Sequence, residues 1–166
     1  MNTETKNEII DKAEQAGREA FTKVCNQEKW CKVNKFAKDR GARYDVSYTN
    51  NSLQVVGEVK GRRYNSDTFN EWYFQKDKYD ALNQLAKEAQ ERTGKPTKIA
   101  YINSYQDNIL SIWEIEIDGL NNVKPVSRLM QVNDWSSKEE YKDVFLMHRV
   151  KANKFEIDLT KSIFKV

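Results

Sequence analysis

Apolar side chains recur at helical spacing in two segments of the chain. In residues 4–25 they fall on one stripe, and in residues 77–93 they repeat at positions i, i+3, i+4 and i+7. The stripes consist of Ile9, Ala13, Ala16, Ala20 and Val24 in the first segment and of Leu82, Leu85, Ala86 and Ala89 in the second. Both patterns predict amphipathic helices. Asp77 is expected to cap the second helix, and Gly94 followed by Pro96 is expected to end it.

Shorter segments alternate between apolar and polar residues, which is the period of a β-strand. Residues 42–48, 53–60, 98–103 and 109–117 have this pattern, and residues 71–75 are either a strand or the start of the second helix. The remaining strand predictions are an edge strand within residues 26–41 and a C-terminal β-hairpin made of residues 142–150 and 155–160. The order of the elements predicts an α/β fold with a central mixed β-sheet flanked by helices.

The first hairpin is predicted to bring three charged side chains together. A two-residue turn at Asn51-Ser52 sets Asp45 opposite Glu58 in the ladder. Glu58 and Lys60 share one face of their strand and lie about 7 Å apart along it. Two ionised carboxylates about 5 Å apart repel each other unless a cation lies between them. The hairpin therefore predicts a divalent metal site.

The same residues carry a resemblance to a known family. Asp45, followed after twelve residues by Glu58-Val59-Lys60, resembles the D…ExK core of the PD-(D/E)XK nuclease superfamily, which includes many restriction endonucleases and archaeal-type Holliday junction resolvases. Tyr44 stands where the name of the family has a proline. In that family the Asp and the Glu bind Mg²⁺, and the Lys positions or activates the attacking water.

The resemblance covers about residues 6–117 of a single domain, residues 1–166. It implies that the α/β fold has a restriction-endonuclease-like core, in which helices flank the mixed sheet. Residues 125–166 are then a C-terminal extension that adds the β-hairpin.

The resemblance also implies a metal-dependent nuclease with Mg²⁺ as its cofactor and Mn²⁺ as a substitute. Asp45 and Glu58 would bind the metal together with the main-chain carbonyl of Val59. Lys60 would orient the water or offset the charge that develops during hydrolysis.

Two further positions follow from the resemblance. The helix before the hairpin often contributes a third acidic residue in this family, and Glu19 is expected to be that catalytic and metal-binding carboxylate. Glu14 is the alternative because it lies closer to the apolar stripe. A polar residue after the ExK strand often reaches back toward the site, which points to Gln75 and Lys78.

Basic residues bracket the acidic hairpin, although the formal net charge of the whole chain is only +3. A phosphodiester backbone needs cationic contacts, so this distribution favours a nucleic acid as the partner. An ordinary solvated basic surface is the alternative. The residues expected to contact the nucleic acid are Lys35, Lys38, Arg43, Arg62, Arg63 and Lys78.

Composition narrows the class of protein. The mean hydropathy of −0.86, the lack of a membrane-length apolar run and the lack of a signal-peptide core predict a cytoplasmic protein that does not bind membranes. Cys25 and Cys31 are then expected to be reduced, and their spacing is not that of a zinc site. His148 is expected to be a packed or edge-strand residue and not a catalyst.

These patterns predict a nuclease that hydrolyses phosphodiester bonds in DNA endonucleolytically, as a homodimer if both strands are cut. Its small size resembles that of nucleases carried by phages and mobile elements. One alternative is a catalytically inactive module of the same fold that binds nucleic acid or protein. Another is an unrelated α/β protein with a surface salt-bridge cluster at the hairpin. Glu114 and Glu116 form either a second metal site or, as we expect, part of a half-exposed edge strand.

Overall fold

The structure is a computed structural model that describes residues 3–29, 31–39, 41–131 and 138–158. The side chain of Ile9 and the last two residues of the predicted segment 155–160 lie outside the described parts. Within them the chain forms two α-helices, one short 3₁₀ helix and nine strands. In chain order these are α1 (Thr3–Glu28), β1 (Cys31–Phe36), β2 (Val46–Asn50), β3 (Leu53–Gly61), β4 (Glu71–Gln75), α2 (Lys76–Thr93), β5 (Thr97–Ser104), β6 (Ile109–Glu116), β7 (Val126–Gln131), β8 (Glu139–His148), the 3₁₀ helix (Arg149–Lys151) and β9 (Asn153–Glu156).

The larger sheet has six strands in the order β1-β2-β3-β5-β6-β9. Its neighbouring strands are antiparallel except β3 and β5, which are parallel and are connected through β4 and α2. A parallel pair needs such a crossover because the chain must return to the same end of the sheet. The predicted α/β fold with a mixed central sheet is therefore confirmed.

The two helices pack on opposite faces of this sheet. Phe21 of α1 belongs to the buried cluster that contains Val55 and Val59 of β3, whereas Leu82 of α2 belongs to the cluster that contains Val56. Successive strand residues point to opposite faces, so the even-numbered residues of β3 face the α2 side. In the described part of the chain, no helix is long and apolar enough to cross a membrane.

The register predicted for the β2–β3 hairpin is confirmed. The paired residues run from Asn50 with Leu53 to Val46 with Gly57. Asn51 has a φ of 53°, which a tight two-residue turn requires. Because the turn takes only two residues, Thr49 and Asn50 before it still pair with β3. β2 therefore ends later than predicted, at Asn50, and it also begins later, at Val46.

Residues 71–75 form strand β4, and the helix begins only after them. Gln75 occupies the N-cap position of α2 and makes no side-chain capping bond. Asp77 lies in the first helical turn, so the prediction that it caps the helix is wrong, although a carboxylate there still interacts favourably with the helix dipole. Gly94, with a φ of 68°, ends the helix as predicted.

The smaller sheet has three antiparallel strands in the order β4-β8-β7, and the predicted C-terminal hairpin is wrong. β8 pairs with β4 and β7, whereas β9 pairs with β6 at the edge of the larger sheet. Phe145 and Met147 of β8 are buried in the same cluster as Trp72 of β4. Burial of these side chains, and not closeness along the chain, selects the partner of β8.

Cys25 and Cys31 form a disulfide, so the prediction that both are reduced is wrong. Lys29 has a φ of 56° and donates its main-chain N–H to the Cys25 carbonyl, which turns the chain from α1 into β1. The turn brings the two Cα atoms to 5.0 Å, which is within the range of a disulfide. Because disulfides are rare in a reducing cytosol, the cytoplasmic location stays a prediction.

Substitution Cys31→Ser is expected to lower the free energy of unfolding by about 2 kcal/mol, because it frees the short loop that the bridge closes in the unfolded chain. Urea unfolding followed by circular dichroism measures the change. Dithiothreitol should bring the native midpoint to that of the variant and should leave the variant unchanged. A native midpoint that neither treatment alters would show that the bridge contributes no stability.

Candidate functional site

β3 brings Glu58 and Lys60 to the same face of the larger sheet. The Lys60 Nζ lies 2.6 Å from the Glu58 Oε1. Only 5% of the Glu58 side chain is exposed, whereas 40% of the Lys60 side chain is. The carboxylate is therefore held inside the protein, and the lysine side chain beside it is partly exposed.

Asp45 reaches the same stretch of β3 from the end of β2. It lies one residue beyond the paired ladder, and its main-chain N–H donates to the Gly57 carbonyl at 2.9 Å. Its Oδ2 accepts a hydrogen bond from the main-chain N–H of Val59, also at 2.9 Å. The N–H and the carbonyl of a strand residue point to the same side, so strand geometry directs the Val59 carbonyl toward Asp45 as well. The carboxylates of Asp45 and Glu58 and the main-chain carbonyl of Val59 therefore lie along the same stretch of β3.

The charges of the three side chains are coupled. Burial, followed by repulsion from Glu58, raises the pKa of Asp45 above the ordinary aspartate value, although the Val59 N–H and Lys60 act against this rise. Burial opposes the charged form of Lys60, but attraction to Glu58 and the hydrogen bond with it raise the pKa of Lys60. The lysine stays protonated, and an ionised Asp45 would gain from an additional cation.

Substitution Asp45→Asn is expected to raise the free energy of unfolding at neutral pH. The pKa of Asp45 is higher in the folded chain than in the unfolded one, so the folded state loses stability as the pH rises through the interval between the two values. An amide removes this loss and keeps an oxygen that can accept the Val59 N–H.

Urea unfolding midpoints of both proteins at neutral pH and near the ordinary aspartate pKa of about 3.9 measure this effect. The two midpoints should differ at neutral pH and converge in acid. A native protein that is as stable as the variant at neutral pH would contradict the assigned strain on Asp45.

A cavity of about 630 Å³, which we call the Glu58 cavity, opens beside these groups. Glu58, Val59 and Lys60 line it, whereas Asp45, which is also described, does not. Gln75 and Lys78 line the cavity, so the structure brings the predicted polar residues after the ExK strand to the site. The cavity is also lined by Glu14, Arg62, Arg63, Tyr64, Phe69, Glu71, Trp72, Tyr73 and Tyr101.

The two candidate helix carboxylates, Glu14 and Glu19, differ in their position relative to the cavity. Glu14 lines it, next to Ala13, whose carbonyl lies close to Gly61 at the end of β3. Glu19 is exposed, accepts a hydrogen bond from Gln15 at 3.1 Å and does not line the cavity. The alternative, Glu14, therefore shares this cavity with Glu58 and Lys60.

The predicted basic residues divide into two groups. Arg62, Arg63 and Lys78 line the cavity. The other three, Lys35, Lys38 and Arg43, do not. Arg43 instead donates two hydrogen bonds to Glu88 of α2, the shorter at 2.9 Å, so part of its charge is already neutralised.

Arg62 is held in place by neutral groups. Its Nη2 donates to the Tyr101 hydroxyl at 2.5 Å, and its Nε donates to the Asn103 side-chain oxygen at 3.2 Å. The guanidinium carbon lies 5.5 Å from the centroid of the Trp72 ring. Tyr101 and Asn103 lie in the predicted strand 98–103 but were not predicted to belong to the site, and their signal in the sequence is a polar amide at the end of an apolar strand. The Arg62 charge is thus fixed in direction while it remains available to an anion.

His148 does not line the cavity but contacts Glu71, which does. Its Nε2 lies 3.1 Å from the Oε1 of Glu71, which lines the cavity from β4. It ends β8, the central strand of the smaller sheet, and its side chain is exposed. Among the described strands, β4 pairs with residues 144–148 of β8 and β7 pairs with residues 139–144, so at His148 the strand is paired on one side only. The expectation of an edge-strand histidine is therefore confirmed at this position.

The donor groups at Glu58 can be compared with the needs of Mg²⁺. Among the described residues, no group of three or more His, Cys, Asp or Glu side chains is arranged to hold a metal ion. Asp45, Glu58 and the Val59 carbonyl offer oxygen ligands only, and the carboxyl of Asp45 is strained by Glu58. This donor set fits Mg²⁺, which prefers oxygen and keeps several of its waters.

The acidic pair of β6 is occupied by a lysine. Lys98 Nζ lies 3.1 Å from Glu116 Oε1 and 3.8 Å from Glu114 Oε2. Among the described strands, β9 pairs only with residues 109–112 of β6, so at Glu114 and Glu116 the strand is paired with β5 alone. Glu114 is half-buried and Glu116 is exposed, so the predicted half-exposed edge is confirmed at these two positions. The two glutamates form a cross-strand ion pair with Lys98.

No family model matches the chain, and no curated protein and no solved structure shows significant similarity to it. The resemblance carried by Asp45, Glu58 and Lys60 therefore stays a prediction. The function is therefore inferred from the geometry of these three residues and of the Glu58 cavity.

Proposed function

We propose that the protein is a Mg²⁺-dependent nuclease of the PD-(D/E)XK type that cleaves phosphodiester bonds in DNA endonucleolytically. The observation that carries this proposal is the Glu58–Lys60 contact of 2.6 Å at the wall of an open cavity, with the Asp45 carboxylate bonded to the peptide between them. A carboxylate pair can hold a divalent metal that assists phosphodiester hydrolysis, and a protonated lysine beside it can offset the negative charge that develops.

Each side chain has a role in this proposal. Asp45, Glu58 and the Val59 carbonyl would hold Mg²⁺, and Mn²⁺ would substitute for it. When bound, the metal would supply Lewis-acid chemistry, namely a lower pKa of a coordinated water and compensation of negative charge on the phosphate. Lys60, held by Glu58, orients the attacking water through its ammonium hydrogens. Of the two candidate helix carboxylates, Glu14 lines the cavity, and Glu19 would have to act from outside it.

The substrate contacts follow from the cavity lining. Hydrolysis forms one P–O bond from water and breaks the P–O bond to a sugar oxygen, so the phosphate must be held in a defined orientation. Arg62 is suited to this because its guanidinium is fixed by Tyr101 and Asn103. Arg63 and Lys78 would neutralise neighbouring phosphates, and Gln75 would contact the reacting group from β4.

The fold supports the proposal at a coarser level. A helix, a hairpin that carries the acidic residues and a crossover helix leading to a parallel strand occur here in the order expected for a restriction-endonuclease-like core. We further propose that the protein has this core, is located in the cytoplasm and forms a homodimer when it cuts both strands.

The experiment that tests the proposed function is incubation of supercoiled plasmid, single-stranded DNA and branched DNA with the protein and Mg²⁺ or Mn²⁺. Cleavage that a chelator stops is the expected result. Mg²⁺ should also raise the thermal unfolding midpoint, because a ligand that binds only the folded state stabilises it. If the protein shows no cleavage and no stabilisation with either metal, the proposal is overturned. That result would favour a nucleic-acid-binding or protein-binding module.

A further inference from the structure

Three aromatic rings at the Glu58 cavity are exposed to solvent. Exposure reaches 49% for Tyr64, 45% for Phe69 and 39% for Tyr73, and all three side chains line the cavity. We call these three residues the aromatic rim. Exposed aromatic side chains are costly in water, and when grouped at a cavity they mark a surface that binds a ligand.

The rim is built on a rigid support. Tyr64 and Phe69 pack edge to face with ring centroids 5.1 Å apart, and Phe69 packs in the same way on the buried Trp72 at 5.3 Å. The loop that carries Tyr64 and Phe69 is tied to the β5–β6 turn. These ties are the hydrogen bond from the Gln106 main-chain N–H to the Tyr64 carbonyl at 3.1 Å and two hydrogen bonds from Ser66 to Asp107 at 2.8 and 3.0 Å. Little ordering is then required when a flat ligand binds, which favours affinity.

Positive charge accompanies the rim. Arg62, Arg63 and Lys78 line the same cavity, and within the described residues none of them forms a salt bridge with a carboxylate. Glu58 is paired with Lys60, and Glu71 is in contact with His148. Arg128 covers one face of Tyr73, with its guanidinium carbon 5.9 Å from the ring centroid. The surface thus combines cations that have no carboxylate partner among the described residues with solvent-exposed aromatic rings, which is the combination that binds single-stranded nucleic acid.

We propose that the aromatic rim stacks on unpaired bases, so that the substrate of the protein is single-stranded DNA or the unpaired part of a branched DNA. Arg62 and Lys78 bind the phosphates while a ring of the rim lies on a base of the same strand. Bases of an intact duplex stack on each other and cannot present their faces to these rings. The cavity of about 630 Å³ lies within the usual range for a site that encloses a small ligand, which suits a nucleotide and not a duplex.

The cleavage of such a strand rests on the proposed function, but its binding does not. Binding is therefore measured in the presence of a chelator, by fluorescence anisotropy of labelled oligothymidylate and of a labelled blunt duplex. The native protein should bind the single strand more tightly. The double variant Tyr64→Leu, Phe69→Leu should weaken single-strand binding by about tenfold or more, because stacking on each base is lost. Tyr141→Leu, at an exposed tyrosine that does not line the cavity, should leave binding unchanged.

A second measurement uses the native protein alone, so that it does not depend on the folding of a variant. A strand whose bases are replaced by abasic sites keeps the phosphates and loses the stacking partners, and it should bind about tenfold or more weakly than oligothymidylate. Equal binding of the abasic and normal strands, equal or tighter binding of the duplex, or no binding of nucleic acid would overturn the proposal.

The two proposals fail separately. Cleavage with rim-independent binding would overturn the stacking proposal and retain the nuclease. Rim-dependent binding of single strands by a protein that cleaves nothing would support the stacking proposal and overturn the nuclease.

Discussion

Substitution Glu58→Gln is expected to lower the rate of metal-dependent DNA cleavage by about 100-fold or more and to leave the protein folded. The amide keeps the shape of the side chain but cannot neutralise a cation or hold the Lys60 ammonium as an ion pair. Loss of the 2.6 Å contact also frees Lys60 from the orientation in which it reaches the cavity. Both effects act on the reacting group and not on the core.

Lys60→Ala is expected to have an effect of similar size, because the water loses its orienting cation. Glu58→Gln should change stability by only about 1 kcal/mol, because the lysine that it leaves is 40% exposed and screened by solvent. Lys60→Ala should cost more stability, because it leaves the buried Glu58 carboxylate beside Asp45 without its cation. Initial cleavage rates at saturating Mg²⁺, together with urea unfolding midpoints, measure the two effects independently.

Glu114→Gln provides the matched control. Glu114 is also a strand glutamate near a lysine, with its Oε2 3.8 Å from Lys98 Nζ, but it lies on β6 and does not line the Glu58 cavity. Cleavage by this variant should equal that of the native protein. If Glu58→Gln and Glu114→Gln cut at the same rate, Glu58 is not part of the catalytic site.

Substitution Gly61→Ala is expected to lower the free energy of unfolding by about 1–3 kcal/mol, which is the usual cost of overpacking. A Cβ at Gly61 would lie 2.5 Å from the main-chain carbonyl oxygen of Ala13, and a backbone atom cannot move aside as a flexible side chain can. α1 must then shift away from the end of β3. Because Glu14 follows Ala13, the helix carboxylate would leave its position at the cavity together with the helix.

Gly41→Ala is the control, because no heavy atom lies within 4 Å of the Cβ position there. Its unfolding midpoint should remain within about 0.5 kcal/mol of the native value, as for ordinary surface substitutions. Urea unfolding of the two variants measures the difference, and cleavage assays show whether the shift of α1 reaches the site. Equal midpoints for the two variants would mean that α1 does not approach β3 as closely as described.

The acidic hairpin was predictable because its information is local. Alternation of side chains along residues 53–60 and the turn at Asn51-Ser52 fix the register, and the register fixes which residues share a face. The placement of Glu58 beside Lys60 follows from two-residue spacing alone. The third member, Asp45, was placed opposite Glu58 by counting, and the structure adds its hydrogen bond to the Val59 N–H.

The wall of the cavity was not predictable in the same way. The choice between Glu14 and Glu19 depends on how α1 lies across the end of β3, where a glycine permits close approach to the Ala13 carbonyl. The hydrogen bonds of Arg62 come from β5, about forty residues later in the chain. Helix periodicity placed Glu14 closer to the apolar stripe but could not show where α1 lies relative to β3, and strand periodicity carries no information about the hydrogen bonds of Arg62.

The sequence by itself determined both helices, the β2–β3 hairpin with its register and the pairing of Glu58 with Lys60, because each depends on neighbours within a few residues. It also determined the mixed character of the central sheet, because a helix between two strands predicts a crossover to a parallel strand. Only the tertiary structure decided that β8 joins β4 in a separate sheet, that Cys25 meets Cys31 across a left-handed turn and that the aromatic rim lies at the same cavity as the carboxylates. The sheet of β8 and the position of the rim depend on which distant surfaces are buried together, and that choice is made by the packing of the whole chain. The disulfide depends instead on the left-handed backbone of Lys29, which the side-chain pattern does not predict.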